Sequence, residues 1–227
     1  MSTDKMYFYE RHFADVFDEK MNMYDLRMRL KLVYGDFLKE NLQGKKLLDA
    51  GCGTGYFSKA AVERGADVTS MDLGENLLAK VKEKCNSTCV KGSILEMPFE
   101  DNSFDYVISS EVIEHVPAPL DAIPEIYRVL KPDGTMVLTT PNKHWHFAID
   151  IANAMKLRPY QGLENWVSLQ ELRNSALEAG FKVVDESGLH LFPFVTALSH
   201  PVLNFFHRWR RPLRTMMLNI AIKCVKV

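Results

Sequence analysis

The chain has 227 residues, 47% of them hydrophobic, with a formal net charge of −1. Those values suit one domain, residues 1–227, with a sizeable core, and they argue against a general nucleic-acid binder. The start MSTDKMYFYERH is charged and has no apolar signal-peptide core, so a cytoplasmic setting is expected.

Residues 6–42 read as helical, with Leu26, Met28, Leu30, Leu32, Val33 and Phe37 apolar and Arg27, Arg29 and Lys31 between them. Lys46–Ala50 is an apolar strand carrying Asp49 near its end. Gly51-Cys52-Gly53-Thr54-Gly55 follows and lets the backbone turn tightly and approach a ligand. Tyr56 to Arg64 then has helical spacing, so the loop opens a helix. Strand, glycine loop and helix make a nucleotide-type cofactor site. The spacing is G-x-G-x-G, not the dinucleotide G-x-G-x-x-G, and no phosphate-gripping G-x-x-x-x-G-K-[ST] occurs. Asp67–Asp72 is a second strand ending in a carboxylate, at about the distance where such folds offer one to ribose hydroxyls.

Further strands are expected at Cys89–Gly92, Phe104–Glu111 and Thr135–Thr140, alternating with helices. This alternation predicts an α/β fold with a parallel sheet covered on both faces. Leu130 to Thr135 reads as a turn into the fifth strand. Ser168-x-x-Glu171 is a capping box opening a helix to about Ala179, ended by Gly180. Phe181–Ser187 and Met217–Val227 complete seven strands. Cys85 and Cys89 have no second pair to complete a zinc site, and Cys52 and Cys224 are scattered.

The glycine loop, Asp72, Gly92-Ser93-Ile94, the strand Phe104–Ile108 and Leu130–Thr135 stand in the order found in class I S-adenosylmethionine-dependent methyltransferases. The chain resembles that family. The resemblance implies a Rossmann-like, mostly parallel seven-stranded sheet with helices on both faces, a last strand antiparallel beside the sixth, and S-adenosyl-L-methionine as methyl donor. It implies that Gly51, Cys52, Gly53 and Gly55 hold the donor's methionine end and ribose. Asp49 would help its amino group, and Asp72 would accept both ribose hydroxyls. Leu73 and Ile94 would sandwich the adenine, and Ser93 stands where many relatives read the adenine amino group with Asp. Ser110 and Glu111 complete the expected cofactor contacts.

Glu111-Val112-Ile113-Glu114-His115 carries the remaining chemistry. On a helical turn, Glu111, Glu114 and His115 share one face and suit a divalent cation such as Mg²⁺ or Zn²⁺. The same E-x-x-E-H occurs in ubiquinone-biosynthesis O-methyltransferases and in small-RNA 2′-O-methyltransferases, where the resemblance implies a metal beside paired hydroxyls. Alternatively His115 is a general base, or these are hydrogen-bonded wall residues. His115 is the first choice for catalysis in either chemistry.

Thr140-Pro141-Asn142-Lys143, Glu164–Ser168 and Gly188-Leu189-His190-Leu191-Phe192-Pro193 sit where the ubiquinone-type branch has similar stretches. In that branch a basic residue of the N-terminal helix meets the cofactor carboxylate; here it falls at Lys31 or near it at Arg29. Two departures stand out: G-C-G-T-G replaces G-C-G-G-G, and Tyr160-Gln161-Gly162 stands near the position of a Gly-Thr-His. The implied reaction is O-methylation of a small, ring-containing hydroxylated acceptor. The alternatives are N-methylation, a metal-free natural-product methyltransferase, RNA 2′-O-methylation and a non-catalytic cofactor-binding module.

Residues 1–42 are expected to form a lid, and 143–167 and 188–216 exceed the minimal fold as cap inserts. Ser187 to Phe206 contains no Asp, Glu, Lys or Arg. Either this stretch caps the acceptor pocket through Phe192, Phe194, Phe205 and Trp209, or its aromatics and the following arginines lie peripherally on a bilayer.

Overall fold

The computed structural model describes residues 17–148, 150, 163–191 and 199–227. Seven strands form: β1 (Lys46–Ala50), β2 (Asp67–Asp72), β3 (Thr88–Lys91), β4 (Phe104–Ser110), β5 (Leu130–Pro141), β6 (Phe181–Leu189) and β7 (Asn219–Lys226). They make one sheet in the order β3-β2-β1-β4-β5-β7-β6. The first five pair in parallel, and β7 runs antiparallel between β5 and β6. The chain leaves β1 toward β2 and β3 on one side, then returns to β4 and β5 on the other. That reversal opens a crevice beyond the carboxyl ends of β1 and β4, where ligands of such folds bind.

Among the described residues, besides a single turn at Phe17–Lys20, the α-helices are α1 (Met23–Leu30), α2 (Tyr56–Val62), α3 (Glu75–Lys84), α4 (Ala122–Val129), α5 (Leu169–Glu178) and α6 (His200–His207). One core cluster joins Ile123, Ile126 and Leu172 to Val107 and Leu138 of the sheet. A second joins Leu26, Leu32, Phe37 and Phe57 to Leu47 and Ile108. Both faces are therefore covered, as the buried, apolar strands require. The capping box at Ser168 and Glu171 forms in both directions, a device worth about 1 kcal/mol.

Three details of the fold add to the sequence reading. In the helical N-terminal region α1 is capped by Asn22, and Lys31–Phe37 winds more widely as a π-helical segment. The wide turn buries Leu32, Val33, Tyr34 and Phe37 while Lys31 stays exposed. Second, the Leu130–Thr135 turn lies inside β5. Phe104 pairs with Leu130 but Tyr106 with Thr135, so the residues between bulge out of the ladder, with Asp133 left-handed at φ 62°.

Third, the described part of the 188–216 insert packs on the N-terminal helical region, as expected, while Phe205 and Trp209 are not among the residues lining the main cavity. The Tyr24 ring stacks on His200 at 3.8 Å, its hydroxyl donates to Asn204 at 2.8 Å, and Arg210 pairs with Asp36 at 2.7 Å. Leu203 is buried, whereas Phe205 and Trp209 are 56% and 52% exposed. An amphipathic helix can bury only one face, and here the face carrying Leu203 won. Phe192, Phe194 and the middle of the first insert lie outside the described residues. Among the described residues no helix is long and apolar enough to cross a membrane.

Candidate active site

A cavity of about 390 Å³ opens at the crevice. Its first end is built from backbone. Gly51 N–H and Cys52 N–H both donate to the Met71 carbonyl, at 2.8 and 3.0 Å, which ties the loop after β1 to the end of β2. Gly51 has φ 82°, and a Cβ there would stand 2.4 Å from Val112 Cγ2. Only glycine fits that approach. Asp72 locks the two loops together: Oδ2 accepts from Gly53 N–H at 2.9 Å and Oδ1 from Gly74 N–H at 3.0 Å. Gly51, Cys52, Gly53, Asp72, Leu73 and Ile94 all line the cavity.

Asp49 does not line it. The side chain is buried beneath the loop, where Ser58 Oγ donates to Oδ2 at 2.6 Å. Burial raises its pKa to about 7 against the pull of the Ser58 hydrogen bonds, and the charge of Asp72 adds to the rise. Gly55 is absent from the lining too; at φ 85° it starts α2 as N-cap. Ser93 is not in the lining either, although its neighbours Gly92 and Ile94 are, and its Oγ accepts from Leu95 N–H at 3.2 Å in a local turn. Above the loop, Asp18 accepts from Thr54 Oγ1 and from Lys84 Nζ, so the N-terminal segment is fastened over the glycine loop.

The second end is built from side chains. Glu111 sits at φ 58°, unusual for a residue with a Cβ. Its Oε1 accepts from Thr139 Oγ1 at 2.8 Å and its Oε2 from Asn219 Nδ2 at 2.6 Å. A hydroxyl has one hydrogen, so Ser110 Oγ, 2.9 Å from Thr139 Oγ1, is the donor of that pair. Glu114 and His115 lie on a single 3₁₀ turn, Ile113–His115. Thr140 Oγ1 donates to Glu114 Oε2 at 3.0 Å. His115 Nδ1 lies 2.9 Å from the Leu163 carbonyl. A carbonyl only accepts, so Nδ1 carries the hydrogen, and a neutral ring keeps its lone pair on Nε2. Burial raises both Glu111 and Glu114 to about 7. For Glu111 the charge of Glu114 adds to this rise and Arg29 opposes it.

Arg29, not Lys31, is the basic residue that reaches this end. Lys31, two residues on and more than half a turn round the helix, is exposed. Arg29 Nη2 pairs with Asp25 Oδ2 at 2.6 Å, and its Nε is buried without a hydrogen-bond partner. Burial would raise Asp25, but Arg29 and His190 hold it below the usual carboxylate range. Pro141, Glu164 and Trp166 close the wall; the sequence marked their stretches as family-like without giving these three residues a role of their own. His144 and His146 stay off it. His144 Nδ1 lies 3.3 Å from the Thr215 carbonyl, and His146 meets the edge of Trp166 at 5.5 Å.

Residues 48–138 match the family described as a methyltransferase domain. The ubiquinone biosynthesis O-methyltransferase of Pseudomonas fluorescens is 36% identical over 168 residues, covering 67% of this chain and 71% of the relative. The chain belongs to the S-adenosylmethionine-dependent methyltransferases. The enzyme of the same name from Psychrobacter arcticus is 34% identical over 166 residues, and the chain spans 65% of its length. An S-adenosylmethionine-dependent methyltransferase from Mesorhizobium loti shares the fold at a TM-score of 0.63 and 17% identity, over 82% of this chain and 93% of that one.

Two observations fit this methyltransferase chain to its cofactor: the Gly51 cradle that a Cβ would fill, and the orphaned buried Nε of Arg29, a residue that lines the same cavity. The expected cation set fits less well. Among the described residues no three His, Cys, Asp or Glu groups gather as metal ligands. Glu111 precedes the turn in a left-handed conformation instead of sharing a helical face with Glu114 and His115. Its two oxygens are each taken by a neutral donor, and His115 Nε2 stands 3.8 Å from Glu114 Oε1. Arg29 supplies the counter-charge to the acidic pair.

Proposed function

We propose that this methyltransferase transfers a methyl group to a ring hydroxyl of a small acceptor, with His115 as the general base. Bound S-adenosylmethionine supplies a sulfonium methyl together with its own leaving group. Asp72 holds the ribose hydroxyls, Leu73 and Ile94 flank the adenine, and Arg29 takes the carboxylate. The carboxylate of Asp49 contributes only through the loop it supports. His115 Nε2 accepts the acceptor's hydroxyl proton while Leu163 holds the ring through Nδ1. Trp166 and Pro141 give the acceptor ring an apolar wall, and no metal enters the mechanism.

The observation that carries this reading is a single cavity joining the Asp72 loop to an imidazole whose other nitrogen is already committed to a carbonyl. The relatives named for ubiquinone biosynthesis favour oxygen over nitrogen as the methylated atom. The test is product analysis after incubation with S-adenosylmethionine and either a neutral catechol or an aromatic amine. A methyl ether from the catechol is expected; an N-methyl product alone would overturn the reading. A peripheral membrane contact is a second proposal, favoured by the exposure of Phe205, Trp209 and Met216. Co-sedimentation with anionic liposomes tests it, and protein left in the supernatant at low salt would reject it.

A further inference from the structure

The stretch Gly188–Pro193 resembles a family motif, yet His190 does not line the cavity. It ends β6 in a left-handed conformation, φ 56°, with its side chain buried. Its Nε2 lies 2.8 Å from Asp25 Oδ1. Asp25 is held ionised, so its oxygens only accept and His190 Nε2 carries the hydrogen. The other oxygen of the same carboxylate, Oδ2, receives Arg29 Nη2 at 2.6 Å. Asp25 and Arg29 are one turn apart on α1, so the carboxylate is clamped between its own helix and the end of β6.

Arg29 has other carboxylates to turn to. Glu111 and Glu114 face the same cavity and act on its charge. A guanidinium released from Asp25 would move toward that acidic pair, occupy the acceptor end and withdraw from the cofactor. One hydrogen bond from His190 fixes the Asp25 carboxylate in the rotamer that keeps Arg29 where it is.

We propose that His190 is a positioning residue that acts through Asp25 to hold Arg29 for the amino-acid carboxylate of the cofactor. This rests on the reading above that Arg29 binds that carboxylate. It gives the Gly188–Pro193 motif a task, and it makes the N-terminal helix and the end of β6 a single clamp on one end of the cofactor. Groups that support a ligand-binding side chain from behind set its geometry, and loss of one such hydrogen bond weakens binding without touching the ligand.

The experiment is calorimetry on the full chain with two probes, S-adenosylhomocysteine and 5′-methylthioadenosine, which lacks the amino-acid portion. His190→Leu should weaken S-adenosylhomocysteine roughly tenfold and leave methylthioadenosine unchanged. His190→Gln, which keeps a donor at similar reach, should restore most of the loss. Asp25→Asn, which keeps the shape and removes the charge, should repeat the His190→Leu signature and serves if that variant fails to fold. Equal weakening of both probes would reduce His190 to a structural residue and overturn the proposal, and so would an unchanged S-adenosylhomocysteine affinity. Arg29→Met separates the two layers. If it weakens only S-adenosylhomocysteine while His190→Leu does nothing, the positioning role falls and the Arg29 assignment stands. If Arg29→Met changes neither probe, the assignment falls and takes the positioning role with it.

Discussion

The two ends of the cavity are made from different materials. The cofactor end is backbone and two short loops: Gly51 and Cys52 on the Met71 carbonyl, Gly53 and Gly74 on Asp72. The acceptor end is side chain: Glu111, Glu114 and His115 after β4, and Glu164 and Trp166 before α5. Backbone hydrogen bonds at a strand end are fixed by the sheet itself. Side chains from distant segments are fixed only by one another, through contacts such as His115 to Leu163 and Asn165 N–H to the Glu114 carbonyl at 2.8 Å. The first end can serve any acceptor; the second is where chemistry and specificity reside.

Substitutions at the two ends should therefore separate binding from turnover. The largest effect is expected at the acceptor end. His115→Ala should lower kcat by roughly 10²–10⁴-fold while S-adenosylhomocysteine affinity stays at wild-type level. A kcat within a few-fold of wild type would move the base elsewhere. Asp72→Ala should do the reverse, costing about 1–3 kcal/mol of cofactor affinity, or roughly five- to 150-fold in Kd. Unchanged affinity by calorimetry would remove the ribose assignment.

A smaller effect concerns pH. Asp49 is raised to about 7 in the fold, from an ordinary carboxylate value of 3.8. The folded state then binds more protons than the unfolded one between those values, so this group lowers stability as pH climbs from about 4 to 7. Below that window it contributes nothing. Asp49→Asn should raise Tm relative to wild type at pH 8, with the difference shrinking to zero or reversing by pH 4. A gap independent of pH would mean that Asp49 keeps an ordinary pKa. The smallest effect belongs outside both ends. Phe205→Ser with Trp209→Ser should change cofactor affinity and turnover of a soluble acceptor by less than about 0.5 kcal/mol, because both rings are solvent-exposed. A large loss of turnover in steady-state kinetics would return them to the acceptor wall.

The sequence was most legible where function depends on neighbours in the chain. The strand, glycine loop and helix at Lys46–Val62, the acid Asp72 at the end of β2 and the Ser168–Glu171 cap all occur as read. Legibility failed where helical phase decides the outcome. Arg29 and Lys31 are equally basic, but two residues along a helix is more than half a turn, which puts Arg29 in the cavity wall and Lys31 in solvent. Ser93 could not be judged from spacing alone: in the fold its Oγ accepts from the Leu95 N–H, which leaves the hydroxyl hydrogen to be directed elsewhere.

What the sequence determined by itself was the sheet, its switch-point crevice and the cofactor end. Apolar periodicity and glycine spacing are local signals, and parallel strands joined by helices leave few ways to assemble. Only the tertiary structure decided the acceptor end. Whether Glu111, Glu114 and His115 converge on a cation depended on Glu111 adopting a left-handed backbone and finding Thr139 and Asn219. The pairing of His190 with Asp25 joins residues 165 positions apart. No periodicity encodes such contacts, because each arises from packing one element against another after the sheet is in place.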